Sequence, residues 1–263
     1  MFDMSVNLTS KRFDNDHQLV IDRAKLYGIN GMLIIGSNVN DSIYANQIIL
    51  PYKNYCWATA GVHPHYANLW NKNTINIINN IINKYKTVVA IGECGLDFYR
   101  NLSSKKQQIF AFNAQLELAT QYSLPLFLHC RNAFSDFIKI LKKWIDKIPI
   151  SVIHCFSGNQ YELQQCLDMN LYIGISELFF NKKYRIFSIN DINIIPKNKI
   201  VIETDSPYLL FKNIYKNIYK KYQGRNEPFL LVNLVKKIAT YQKNNIDIVK
   251  KQTEKNTRIL LNI

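Results

Sequence analysis

Four apolar runs in this sequence stop at a residue able to bind a metal ion. Val88-Val89-Ala90-Ile91-Gly92 leads to Glu93, and Leu126-Phe127-Leu128 to His129. Ser151-Val152-Ile153 leads to His154, and Ile200-Val201-Ile202-Glu203-Thr204 to Asp205. Two imidazoles and two carboxylates are a donor set for a divalent ion such as Mg2+, Mn2+ or Zn2+, and leave a position for water. Such a centre lowers the pKa of a coordinated water and polarises the oxygen of the group under attack, which is ester or amide hydrolysis. One such residue alone is most simply a satisfied polar group in a core. Four at equivalent positions are hard to explain by packing. Asp205 is the expected ligand and proton acceptor from the water. Glu203 lies two residues earlier, on the same strand face, and is expected to orient a ligand rather than bind the ion.

Further candidates surround these four. In Gly61-Val62-His63-Pro64-His65 the proline stiffens a turn. His63 is expected to reach the pocket and touch a substrate phosphate or a water, while His65 reads equally as structural. Arg131 and Arg225 are candidate phosphate clamps because guanidinium donors match phosphate oxygens in pairs. The plainer reading of each is a surface or capping arginine. The repetitive KNIYKNIYKKY at 212–222 interleaves Lys with Tyr, which could grip phosphates and stack on bases. A solvated helix or loop is the plainer alternative there.

The elements that must position these residues follow from the apolar pattern. Runs rich in β-branched residues at 1–8, 31–36, 56–62, 88–93, 126–129, 151–154, 171–175 and 200–203 predict eight strands, mostly apolar throughout, as strands buried on both faces should be. Between them lie helical stripes, one through Ile109, Phe112, Leu116 and Ala119 and one through Ile138, Leu141 and Ile145. Ser103 or Ser104 is the expected N-cap of the first stripe, and Gly28 should end a helix over 15–27. Eight strands alternating with helices predict a closed TIM (β/α)8 barrel. A doubly wound open sheet is the alternative, but it would gather functional residues from only a few strands, whereas candidates here terminate at least five.

Composition bounds the rest. The 263 residues are 48% hydrophobic, enough for one domain over 1–263 with a sizeable core. No run approaches the roughly 18 apolar residues of a membrane span, and the N-terminus has no leader-like pattern. A cytoplasmic monomer is expected. The five cysteines are odd in number and lack CxxC spacing, which excludes a disulfide framework and a thiolate zinc knuckle. Three follow a proposed ligand directly, so on a strand each would face the helix layer. A net charge of +14 suggests affinity for phosphates, although an Ile-, Asn- and Lys-rich composition accounts for about half of it as codon drift.

The motifs GVHPH (61–65), AIGECGLDF (90–98), LHCR (128–131), HCFSG (154–158), ETDSPYL (203–209) and RNEP (225–228) together resemble the TatD family of metal-dependent deoxyribonucleases. They stand in that family's order, and the resemblance spans the whole chain. It implies an amidohydrolase-like TIM barrel and Mg2+-dependent hydrolysis of phosphodiesters in single-stranded DNA, and in RNA as well, from the 3′ end. Many members carry His-x-His on the first strand. Ser5 and Asn7, both weak ligands, stand there in this chain, so one well-held metal near Glu93, His129 and His154 is expected, with a second only loosely bound. The competing expectations are a metal-dependent deacylase of D-aminoacyl-tRNA, on the same scaffold, and a non-catalytic relic that binds nucleic acid.

Overall fold

The computed structural model describes residues 1–181, 192–211 and 216–263, with Tyr219 described by its backbone alone. Among these residues eight strands occur: β1 (Phe2–Val6), β2 (Gly31–Ile34), β3 (Cys56–Ala60), β4 (Val88–Asp97), β5 (Leu126–Arg131), β6 (Val152–Ile153), β7 (Tyr172–Ile175) and β8 (Ile200–Ile202). They pair in parallel in chain order. A bridge between Val6 and Ser206, with Asn7 N–H donating to Ser206 O at 2.7 Å, brings the first and last together. This is the eight-stranded barrel that the spacing predicts.

The helices are α1 (His17–Leu26), α2 (Val39–Ile49), α3 (Thr74–Lys84), α4 (Lys105–Tyr122), α5 (Phe134–Leu141), α6 (Gln160–Asp168), α7 (Glu177–Phe180), α8 (Lys216–Lys221), α9 (Leu231–Tyr241) and α10 (Ile246–Leu261). No described helix is long and apolar enough to cross a membrane.

Two apolar layers follow from strand alternation. Met4, Leu33, Phe127, Val152, Tyr172 and Val201 fill the barrel, joined by Leu260 and Leu261. Ile34, Ile91, Leu128, Ile153 and Ile202 face the other way, against Phe112, Leu116, Phe137 and Leu234 of the helices. Stepping two residues on from Phe127 and Val152 points His129 and His154 into the barrel, and two on from Val201 does the same for Glu203.

Local differences from the sequence reading have physical causes. β4 continues to Asp97 rather than stopping at Glu93, because β5 pairs with it from Ile91–Leu126 to Asp97–Arg131. Gly95 makes this possible: its φ is +139°, and a Cβ there would lie 1.9 Å from His129 O. Ser104 is the N-cap of α4, in a reciprocal capping box with Gln107. Ser103 instead is buried, accepting from Asn68 N–H and donating to His65 O. α5 ends at Leu141 and buries Phe137 and Leu141; Ile145 lies beyond it. His17 opens α1 half-buried, its ring edge-on to Tyr44. Of the 212–222 repeat, 212–215 lie outside the described residues, and Ile218 and Tyr222 pack on Leu210, Phe229 and Leu230.

Candidate active site

Glu93 is the hub of a pocket at the carboxyl end of the barrel. His129 Nδ1 lies 2.9 Å and His154 Nε2 3.0 Å from its Oε1, and His63 Nε2 lies 3.4 Å away. The far nitrogen of each of the first two rings faces a carboxylate. His129 Nε2 is 3.4 Å from Asp97 Oδ2, and His154 Nδ1 is 3.6 Å from Glu203 Oε2. A carboxylate behind an imidazole fixes the ring tautomer so that the front nitrogen presents its lone pair, the arrangement found behind metal-ligating histidines.

His63 differs from this pair. Its Nδ1 accepts the N–H of His65 at 3.0 Å, so in the neutral ring the proton sits on Nε2, facing the pocket. Burial lowers its pKa to about 4 against the pull of Glu93, which keeps the ring neutral. A neutral ring with its proton aimed into the pocket is a hydrogen-bond donor. His65 turns aside, its Nε2 2.8 Å from Asp97 Oδ2.

The fourth sequence candidate, Asp205, stands across the pocket with φ +52°. Ser5 Oγ and Asn7 Nδ2 both donate to its Oδ1, at 3.3 and 2.9 Å. Burial raises its pKa to about 7; His154 opposes the shift and Glu93 and Glu203 add to it. The two weak first-strand positions therefore touch Asp205. Side-chain groups that could hold a metal are His63–Glu93–His129 and His154–Cys155–Glu203, with His154 and Glu93 joining them; Asp205 is in neither.

Fit to a cation rests on the pocket's chemistry. Glu93, Asp97, Glu203 and Asp205 crowd together opposite imidazoles. Burial would raise the Glu93 pKa, but His154, His63 and a hydrogen bond with His129 hold it well below the usual carboxylate range. Buried His129 Nε2, His154 Nδ1 and Glu203 Oε2 have no well-formed hydrogen bond. Buried carboxylates at this density need a counter-charge, and a divalent ion between Glu93, His129 and His154 would supply it.

Other candidates fall out differently. Glu203 is buried and accepts from Cys155 N–H. Cys94 and Cys130 pack against the outer core, as alternation predicts. Cys155 does not: the chain turns there with φ +45°, and its Sγ donates to Ser176 Oγ. Arg131 lies at the mouth with its guanidinium over the Tyr99 ring, 4.0 Å from the centroid. Arg225 is engaged by Asp16 and Glu227 and donates to Arg12 O, which makes it a brace between α1 and the loop after β8. Asp97 was missed by the sequence reading. Its signal was present, since it lies four residues after Glu93 and therefore on the same strand face, but it requires a strand that runs to 97.

A parallel barrel with imidazoles and carboxylates converging inside its carboxyl mouth has the form of a metal-dependent hydrolase. The particular family follows from comparison with known proteins. The family model described as TatD related DNase matches residues 2–262, and the chain belongs to this family. It is 42% identical, over the whole of both chains, to a protein of Pantoea ananatis named 3′-5′ ssDNA/RNA exonuclease TatD. A protein of the same name from Yersinia pseudotuberculosis is 42% identical over 98% of each chain. Among solved structures, a TatD family hydrolase from Entamoeba histolytica aligns with a TM-score of 0.88 at 27% identity, covering 99% of this chain and 97% of that one. A TatD homologue from Escherichia coli aligns at 0.87 and 21% identity, covering 100% and 98%, and bears on the fold.

Proposed function

We propose that the protein is a metal-dependent exonuclease that shortens single-stranded DNA from the 3′ end, with RNA as a second substrate. The observation that carries this reading is the convergence of His129 and His154 on Glu93 Oε1, each ring backed by its own carboxylate. The names of relatives at 42% identity over the full length support the choice of substrate.

Glu93, His129 and His154 would hold the ion. When bound, it lowers the pKa of water and polarises a phosphoryl oxygen. Asp205, with one oxygen held by Ser5 and Asn7, takes the proton of the attacking water on the other. His63 donates from Nε2 to a phosphate oxygen. Arg131, two residues beyond His129, contacts a neighbouring phosphate. Asp97 and Glu203 fix the ligand rings. Mg2+ is the ion the sequence suggests, but a pair of imidazoles with one carboxylate favours a borderline ion, so Mn2+ should sustain activity at least as well.

The test is stepwise shortening of 5′-labelled single-stranded DNA by wild type, His154→Ala and Asp205→Asn, in Mg2+ and in Mn2+. A ladder from wild type that both variants lose supports the reading. An inert wild type that still binds DNA would sink it and point instead to deacylation of D-aminoacyl-tRNA, a chemistry the same centre could serve.

A further inference from the structure

The pocket is bordered by exposed aromatic rings that no core packing explains. Tyr99 follows β4 and is 61% exposed. Its N–H and that of Arg100 donate to Asp97 Oδ1 at 2.9 and 2.8 Å. The other oxygen of that carboxylate faces His65 and His129. Asp97 therefore ties the backbone under the Tyr99 ring to the ring of a metal-binding residue. Arg131 covers the Tyr99 ring with its guanidinium and follows His129 on β5 by two residues. A second ring, Tyr208, follows β8, is 50% exposed, and its N–H donates to Asp205 O at 2.9 Å. In an eight-stranded barrel β4 and β8 lie opposite one another, so Tyr99 and Tyr208 stand on facing walls of one mouth.

Unpaired bases stack on exposed aromatic rings, and a cation behind the ring adds to the attraction. We infer that Tyr99, backed by Arg131, is a stacking platform for an unpaired base beside the scissile phosphate, with Tyr208 as its counterpart on the opposite wall. This rests on the nuclease reading and deepens it. A base within a duplex has both faces covered and cannot use the platform, so the pair selects single strands.

The experiment is a fluorescence-anisotropy titration in Ca2+ of two labelled oligothymidylates. One is intact and the other abasic in its last three 3′ nucleotides. Kinetics in Mn2+ run alongside. On the intact strand Tyr99→Ala should weaken binding and raise KM roughly tenfold. Tyr99→Leu should behave like Tyr99→Ala, and Tyr99→Phe, which keeps the ring, should restore wild-type values. On the abasic strand the gap between wild type and Tyr99→Ala should shrink below twofold. Equal weakening on both strands would make the ring a prop for the Asp97 turn and overturn the inference, and so would no weakening on either. The titration reads binding alone, so it decides the platform even if wild type cuts neither strand, an outcome that counts against the nuclease reading instead.

Discussion

The two walls of the pocket are built on different principles. On the β4–β5 wall, backbone pairing extends past the functional residues to Asp97–Arg131, and Asp97 and His129 are carried on paired backbone. Glu93 sits at the single bulge in that pairing, and its N–H donates to Gly36 O at 3.1 Å. At the β8–β1 seam the backbone contributes one bridge, and side chains do the rest. The buried Asp3 carboxylate accepts from Thr204 N–H at 2.9 Å and contacts Thr204 Oγ1 at 2.6 Å. Asn7 spans Asp205 Oδ1 and Ser206 O, and Asn226 Nδ2 donates to Thr204 O at 2.9 Å. The first wall, where we propose the ion binds, is held by strand pairing on both sides of that bulge. The second wall, whose Asp205 we propose as the proton acceptor, is positioned by a handful of replaceable hydrogen bonds. Chemistry should fail on the first wall when a metal donor, or the carboxylate behind its ring, is removed, and on the second also when a mere hydrogen-bonding neighbour changes.

Four substitutions test that contrast, taken from the largest expected effect. Glu93→Gln removes the charge on which both rings converge. Activity should fall roughly 10^3-fold or more, since several kcal/mol of charge stabilisation leave with the ion. Metal analysis should find the bound ion lost, and chelation of wild type should reproduce the defect. Asp205→Asn should lower kcat by about 10^2-fold or more while bound metal stays at the wild-type level. Metal loss in this variant would erase the distinction between the walls. Asp97→Asn keeps the shape but weakens the hold on His129, and metal affinity should drop roughly 10- to 100-fold, read by a competition titration.

The smallest effect concerns the seam's stability. Burial raises the Asp3 pKa to about 8, although hydrogen bonds from Thr204 and Ser5 oppose the shift. An acid whose folded pKa lies above its unfolded value binds the proton more tightly when folded. Its contribution is therefore greatest at low pH and is lost as pH rises from about 4 to about 8. Asp3→Asn mimics the protonated form, so its melting temperature relative to wild type should climb over that range, by roughly 3 °C or more between pH 5 and 8.5. A gap independent of pH would mean that Asp3 is ionised in the folded seam.

Much of this was legible along the chain. The eight apolar runs gave the strands, and the residue that ends each of four runs gave Glu93, His129, His154 and Asp205. Both kinds of signal are local, because a strand buried on both faces must be apolar until it reaches the pocket. What stayed hidden depended on where strands end and on which atom of a side chain faces what. Asp97 was out of reach because β4 was expected to stop at Glu93, and its extension depends on pairing with β5. Arg225 looked like a phosphate clamp because nothing local reveals Asp16, 209 positions away, as its partner. The repeat at 212–222 offered lysines and tyrosines, yet Tyr222 is tilted against Phe229.

The sequence by itself determined the barrel, the chemistry of its mouth and the family, because periodicity and residue type are properties of short windows. Tertiary structure alone decided which group stands behind each side chain of the pocket. His63 and His129 are the same residue type at comparable strand ends. One has its Nδ1 satisfied by a backbone N–H and so aims a proton into the pocket, while the other lies between two carboxylates, Glu93 in front of its ring and Asp97 behind it. Ser5 and Asn7, poor ligands on paper, hold Asp205 in place. A side chain's role follows from the group behind it, and only the closed barrel brings that group there.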